Sequence, residues 1–545
     1  MCHSPAPGSL ASGVLTVYPP FNYQWHDAEP SGPLGREERS EPLPEPLAVI
    51  DVGSNSGRAV VLQLSPNGHL EILAGGKAPL RLARDIGRDG VLSELTIDRV
   101  IGVLHDFKAV ADGAGATRVM AVATAAVRES GNGADLRRRA LREVGLRIKV
   151  VDGDEEARYS LIGAISGLPV DHGLLMDIGG GSLEMCHFRD RQFQRAWTLP
   201  LGALRTSDRF LPSDPPTKRE IEELGDHVRS VLTKEGVPSL DKDEHLVGTG
   251  GTIRNLAKID RRTRSYPIPR LHAYVLTRGR AQDLADDLAS RPMAKRRSVP
   301  GLSGERIDSI AGGALVAALA IEHTGAAEVV VSGQGLREGL AFEALSLPTP
   351  SASEARQASL AALTRRFATW DAERARRRQW LASLLLDTVQ PDAGPSFRER
   401  LDQAALVLDI GRSIDHYRRY EHTADMLVAA DLAGFSHRKL ALLAAVVRQA
   451  GDEGMRTREY RPLLGSDDHL PVARAGAILA LVDEIEHRIP PGEEEQVTCR
   501  SRGKTVELGA PLLDPWRREA LAARFRRAFG RSLAIEPREE REHVA

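Results

Sequence analysis

At 545 residues the chain exceeds what one hydrophobic core organises, so two or three domains are expected. A formal net charge of −2 gives bulk charge no role in recruiting nucleic acid or a membrane surface. The three cysteines, Cys2, Cys186 and Cys499, have no paired spacing; this excludes a disulfide framework or a cysteine zinc site and fits a reducing compartment.

Residues 1–45 are rich in Pro, Gly, Ser and Glu and end in Glu41-Pro-Leu-Pro-Glu-Pro46, a composition that predicts a disordered tail. They lack the charged-then-apolar pattern of a secretory leader, and no apolar run reaches the ~18–20 residues that span a bilayer, so a soluble cytoplasmic protein is expected. Residues 46–170 alternate strands (48–52, 58–64, 70–74, 118–123, 147–151) with helices (Thr96–Ala111, Asn132–Val144, Asp154–Ile165). Residues 171–347 continue the α/β pattern, with a helix near 217–234 and strands at 245–248 and 329–331. Pro348-Thr-Pro350-Ser-Ala-Ser reads as a linker. Residues 351–545 are Ala, Leu and Arg rich at helical spacing, for example 438–448 and 473–487, and predict a helical C-terminal domain.

Two stretches of the α/β part read alike. Ala48-Val-Ile-Asp51-Val-Gly53-Ser54-Asn55-Ser56 and Leu174-Leu-Met-Asp177-Ile-Gly179-Gly180-Gly181-Ser182 are each an apolar run, an Asp, and a small-residue turn closed by Ser. A second apolar run follows each, so each predicts a strand, a tight turn and a return strand. Such turns aim backbone N–H groups at an anion, and Gly permits the close approach. The repeat predicts a duplicated fold with two phosphate-gripping turns facing one cleft. Gly248-Thr-Gly250-Gly251-Thr252 and Ser332-Gly-Gln-Gly335-Leu-Arg337 also run from strand to Gly turn to helix, where free N–H groups favour anions. Arg128 lies just after a strand. Gly153-Asp154-Glu155-Glu156 opens a helix; its acids either serve acid–base chemistry or complement the helix dipole.

In these motifs residues 47 to about 345 resemble the exopolyphosphatase/guanosine pentaphosphate phosphohydrolase (Ppx/GppA) family. The matching stretches are AVIDVGSNSGR (48–58), ATAAVRES (123–130), GDEEAR (153–158), MDIGGGSLE (176–184), GTGGTIRNL (248–256), ERID (305–308) and SGQGLREG (332–339). The resemblance implies an α/β fold of duplicated ribonuclease-H-like domains, as in actin, heat-shock chaperones and sugar kinases, followed by an all-α HD-like domain. It implies Glu156 as the general base, with Glu155 as the alternative, Asp177 and Glu184 as ligands of Mg²⁺ (or Mn²⁺), and Asp51 assisting on the metal or water side. Gly53, Ser54, Asn55, Ser56, Gly179, Gly180, Gly181, Ser182, Gly250, Gly251 and Thr252 would bind phosphate, with Arg58 and Arg128 neutralising its oxygens. The implied substrates are inorganic polyphosphate and pppGpp, and the implied assembly is a homodimer.

The C-terminal region departs from the family's pattern. Leu408 stands where the His of an HD pair would precede Asp409, and Ala450 where a further His would stand. His416 and His422 remain but make no ligand set, so this domain is expected to bind or dimerise rather than catalyse. Its arginines (Arg365, Arg366, Arg374, Arg376, Arg377, Arg378) and two basic segments expected as loops (258–264, 295–297) either extend a polyanion track or form solvated faces. A polyphosphate hydrolase, an ATP-dependent kinase or chaperone of the same fold class, and a low-turnover polyphosphate or alarmone sensor are the competing readings.

Overall fold

The computed structural model describes residues 44–451, 457–492, 497–511 and 515–537. All but the last two residues of the Pro-rich stretch lie outside this range. The first sheet contains β1 (Leu47–Val52), β2 (Ser56–Leu64), β3 (Leu70–Pro79), β4 (Arg118–Ala123) and β5 (Ile148–Val150) in the order β3-β2-β1-β4-β5. Strands β1 to β3 form an antiparallel meander, while β4 and β5 continue parallel to β1. The second sheet contains β6 (Gly173–Ile178), β7 (Leu183–Arg189), β8 (Gln192–Leu199), β9 (His245–Thr249), β10 (Tyr274–Thr277) and β11 (Glu328–Val331). Its order, β10-β11-β9-β6-β7-β8, repeats the first plan, a meander and then parallel strands, and adds an antiparallel edge strand β10.

The repeat extends to register. Asp51 lies opposite Arg58 across β1 and β2, and Asp177 lies opposite Glu184 across β6 and β7. The ladders shift at Val61/Leu62 and at His187/Phe188, at the same remove from each aspartate. The extra residues, Leu73 and Gln194, lie on the third strands, β3 and β8, which such bulges bend and twist more strongly. This is a duplicated ribonuclease-H-like fold.

Apolar alternation fixes the two layers of the first half. Ile50 and Val52 pack with Val100, Leu104 and Phe107 of the helix Glu94–Gly113, and Leu47 and Val49 face the opposite side. Two helices exchange partners between the halves. The helix Gly153–Gly167 leaves the first sheet, yet its Leu161, Ala164 and Ile165 bury against Leu175, Phe188 and Val247 of the second. The helix Leu336–Ala344 leaves the second sheet, and its Leu340 and Ala341 bury against Val49 and Leu62 of the first. They cross backbone to backbone: a Cβ on Gly163 would lie 2.0 Å from the Gly335 carbonyl oxygen, and one on Gly339 would lie 1.9 Å from that of Tyr159.

Three local expectations are corrected. The segment 132–144 is an α-helix only over Gly133–Arg139; it widens to a π-turn over Ala140–Val144 and stops at Gly145, φ 76°. Most of the basic residues expected in loops are helical, because Gly250–Thr263 runs on unbroken from its Gly turn and Met293–Arg296 forms one turn. Between 352 and 486 the described residues form a series of helices around one core. It is not all-α beyond that: β12 (Thr498–Arg502), β13 (Thr505–Ala510) and β14 (Ser532–Pro537) form a small sheet. Burial alternates along Thr505–Ala510, and Gly503 at φ 56° makes the hairpin turn. The Ala, Leu and Arg richness of the flanking helices masked that signal. No helix of the described residues is long and apolar enough to cross a membrane.

Candidate active site

The two small-residue turns meet face to face. A Cβ on Gly180 would lie 3.2 Å from Cβ of Asn55, and one on Gly181 would lie 3.4 Å from Ser54 Oγ. Each turn is held from behind by a helix start. The Ser54 and Asn55 carbonyls accept from the N–H groups of Ala83, Leu80 and Arg81; those of Gly179 and Gly180 accept from Ala203, Leu204 and Arg205. Those carbonyls are engaged there and the Gly179 N–H closes its own turn on the Ser182 carbonyl (3.0 Å), while the residues of both turns line the cleft.

Asp51, Arg58, Glu156, Ser160, Asp177, both turns, Gly250, Gly251, Arg254 and Arg337 line that cleft. Glu156 and Ser160 stand one helical turn apart on Gly153–Gly167, and Ser160 Oγ donates to Asp177 Oδ2 (3.0 Å). The helix start separates the two candidate bases. Asp152 caps it, accepting from the Glu155 N–H (2.8 Å), while Glu155 accepts in return from the Asp152 N–H and pairs with Lys149 (2.5 Å). Glu155 is thus engaged outside the cleft, and Glu156 points inward. Arg128 donates to the Val151 carbonyl (2.7 Å), and its Nη1 stands 3.5 Å from Glu156 Oε2.

Charge is concentrated and only partly compensated. Burial, then the charges of Glu184 and Asp177, pushes the Glu156 carboxyl well above its ordinary range. Burial and Asp177 push Glu184 up to about 8, and burial pushes Asp51 up to about 6 against the pull of Arg337 and Arg58. Asp177 also rises, chiefly through burial. Opposite these acids, burial and the neighbouring Arg58 and Arg337 push Arg254 down to about 9. Burial and then Arg337 lower Arg58.

Acids and arginines share the cleft and offset one another only in part, an arrangement suited to a cation and a polyanion together. Asp51 Oδ1 and Glu184 Oε1 are buried without a hydrogen-bond partner, which fits carboxylates awaiting a divalent cation. Among the described residues no three His, Cys, Asp or Glu side chains form a ready cage. Mg²⁺ needs only one or two carboxylates when water and phosphate complete its shell.

Most residues expected from the sequence converge here. Glu184 and Arg128 stand just behind the lining: Glu184 is buried across the ladder from Asp177, and Arg128 lies beside Glu156. Thr252 does not join them. Its side chain is fully buried against Gly313, where a Cβ would lie 3.0 Å from its hydroxyl. The helix has turned by that residue, so of the three residues Gly250–Thr252 the two glycines line the cleft. Gly250 is required: at φ +81° its Cβ would sit 2.3 Å from Asp177 Oδ1.

Sequence reasoning missed Arg254, Arg337, Ser160, Thr124 and Thr249 as lining residues. The signals were present: Ser160 is four residues from Glu156, and each Thr stands at the join of a strand and the helix that follows it, Thr124 just after β4 and Thr249 as the last residue of β9.

The Ppx/GppA phosphatase family model matches residues 61–347, and that of Ppx/GppA phosphatase domain III matches residues 355–506. The chain belongs to the Ppx/GppA phosphatase family. Exopolyphosphatase 1 of Mycobacterium leprae is 33% identical over 304 residues, which cover 55% of this chain and 89% of that protein. Exopolyphosphatase 1 of Mycobacterium tuberculosis is 32% identical, with 55% and 88% covered. Among solved structures, the Aquifex aeolicus Ppx/GppA family member superposes with a TM-score of 0.50 at 29% identity, covering 55% of this chain and 98% of its own. An exopolyphosphatase from Cytophaga hutchinsonii, at 23% identity, TM-score 0.51 and coverage of 56% and 100%, shares the fold.

In the helical region the two positions compared with an HD pair are adjacent, Leu408 and Asp409. Leu408 is fully buried, and Asp409 is held by Arg378 (3.3 Å), Arg412 (3.7 Å) and Arg419 (3.7 Å). Arg374, Arg377 and Arg378 converge on Glu486 rather than forming a surface track. Guanidinium groups therefore surround the acid that remains of the pair.

Proposed function

We propose that the chain is an exopolyphosphatase that hydrolyses the terminal phosphate of inorganic polyphosphate in the cleft between its two α/β halves. The observation that carries this reading is Glu156, buried beside Asp177 and Glu184 and facing Arg58, Arg254 and Arg337 across two small-residue turns. The turn amides and arginines would grip the last phosphates, the arginines forming charge-assisted bonds to phosphate oxygens. Glu156, with its proton affinity raised by burial, would orient a water on the terminal phosphorus and take its proton. Arg128 would hold the Glu156 carboxylate in place. The remaining chain departs as an anionic phosphate still held by the arginines, so most of the catalysis is positioning and charge stabilisation.

Mg²⁺ (or Mn²⁺) held by Asp177 and Glu184, with Asp51 directly or through water, would neutralise charge on the phosphate oxygens. Apart from Leu336, the side chains lining the cleft are polar, charged or glycine. That composition favours an inorganic chain over a nucleotide and makes pppGpp the secondary substrate. A cytoplasmic homodimer, joined through its helical region, completes the proposal.

Phosphate release with Mg²⁺, measured in parallel from long-chain polyphosphate and pppGpp, tests the assignment. Release from polyphosphate at the higher kcat/KM is expected. Preference for pppGpp would reverse the substrate order, and tight binding without release from either would favour a sensor.

A further inference from the structure

The C-terminal helical region reaches the cleft through two buried imidazoles. His272, 5% exposed, lies just before β10, and His437, 2% exposed, opens the helix His437–Gly451. His437 Nε2 lies 2.9 Å from the His272 carbonyl oxygen, and its Nδ1 lies 2.9 Å from the Tyr266 hydroxyl. A carbonyl only accepts, so Nε2 carries the proton and Tyr266 donates to Nδ1. Burial pushes His437 down to about 3, so the ring is neutral, as this arrangement requires.

His272 is used at every polar atom of its ring. Its Nε2 donates to the Gly167 carbonyl (2.8 Å), and its Nδ1 accepts from the Gly333 N–H (3.2 Å). Those two partners lead to opposite sides of the cleft. Gly167 ends the helix that carries Glu156 and Ser160, and its carbonyl also accepts from the Gly434 N–H of the helical region (2.7 Å). Gly333 begins the loop before Leu336–Ala344. The Gly333 carbonyl accepts from Arg254 Nη1 (2.8 Å), and the Gln334 carbonyl accepts from Thr249 Oγ1 (2.9 Å). The surroundings leave little slack: a Cβ on Gly167 would lie 2.6 Å from His272 Nε2, and Ala273 is held at φ 69°.

We propose that His437 is a positioning residue through which the C-terminal region sets the cleft. It holds His272, and His272 holds both the loop that anchors Arg254 and the far end of the helix that carries Glu156. The proposal rests on the reading of the cleft as catalytic. Loss of the link lets the Arg254 anchor and the Glu156 helix drift independently, and misplacement of ~1 Å far from the chemistry costs about 10²-fold. The remaining cleft arginines and turns still bind chain, so kcat falls more than KM rises.

The test uses the full-length protein, wild type and His437→Leu, His437→Gln and Tyr266→Phe, with Arg438→Ala as a surface control on the same helix. Phosphate release from long-chain polyphosphate with Mg²⁺ is measured beside amide hydrogen exchange over residues 160–167 and 332–339. His437→Leu is expected to lower kcat by about 10- to 100-fold and to speed exchange in both segments. Gln, whose side-chain amide can still donate to the His272 carbonyl, restores most of the rate, and Tyr266→Phe gives a smaller loss of the same kind. Arg438→Ala leaves both readouts unchanged.

A wild-type kcat in folded His437→Leu, or unchanged exchange in both segments, overturns the link. If His437→Leu does not fold, Tyr266→Phe decides, because it leaves the imidazole in place. If the wild type releases no phosphate, the proposed function fails while the exchange comparison still decides the link.

Discussion

At the scale of residues, the cleft exchanges stability for charge. Glu184 and Asp51 are buried, short of partners, and pushed up to about 8 and about 6. A carboxyl whose folded value exceeds its unfolded value binds more protons in the native state. Its contribution to stability is therefore lost as pH rises from the unfolded value, near 4, to the folded one. Metal-free protein should gain stability from Glu184→Gln, and the gain should grow between pH 5 and pH 8 to about 2 kcal/mol. Urea unfolding in chelator at both pH values measures it. Mg²⁺ should reverse the order at pH 8 by stabilising only the wild type. Arg254→Ala should lower kcat/KM for polyphosphate by about 10²–10³-fold, as expected for a preorganised donor to a phosphate oxygen, and steady-state kinetics checks this.

Many of these residues were legible because their types are chemically restricted: Asp at a strand end, Gly and Ser in a turn, Arg after it. The sequence named Glu156 with Glu155 as the alternative; the Asp152–Glu155 capping box holds Glu155 outside the cleft that Glu156 lines. Thr252 misled because its motif is contiguous, whereas the helix rotates its side chain into the core.

At the scale of elements, the strand–turn–strand repeat was readable because period-2 apolar runs and small-residue turns are local signals. The exchange of helices Gly153–Gly167 and Leu336–Ala344 between sheets was not, because it depends on contacts between segments far apart in sequence. Only the glycines at the crossing, Gly163 and Gly339, hinted at it. A methyl on Gly339 would meet the Tyr159 carbonyl, which cannot move without breaking the Glu156 helix. Gly339→Ala should therefore cost about 1–3 kcal/mol of stability and lower turnover, as urea unfolding and phosphate release would show. The C-terminal hairpin escaped notice because helical composition surrounds it.

At the scale of the molecule, the halves also touch at the rim of the cleft. Lys77 pairs with Glu305, Arg84 with Asp308 (3.0 Å), and Arg205 with Glu129 (2.5 Å). These pairs are partly exposed and contribute little stability singly. The attraction between the cleft arginines and a polyanion acts through water at longer range, where charges are screened within about 10 Å at 0.1 M salt. The KM for polyphosphate should accordingly rise severalfold with ionic strength while kcat changes little. Titrating KCl at fixed Mg²⁺ measures this.

Glu156 is proposed to move the proton in a cleft whose turns and arginines would bind phosphate. The most direct measurement compares wild type and Glu156→Gln for polyphosphate binding and for phosphate release under single-turnover conditions. Retained binding and a rate lower by about 10²–10⁴-fold are expected. Release at close to the wild-type rate from the folded variant would contradict that role.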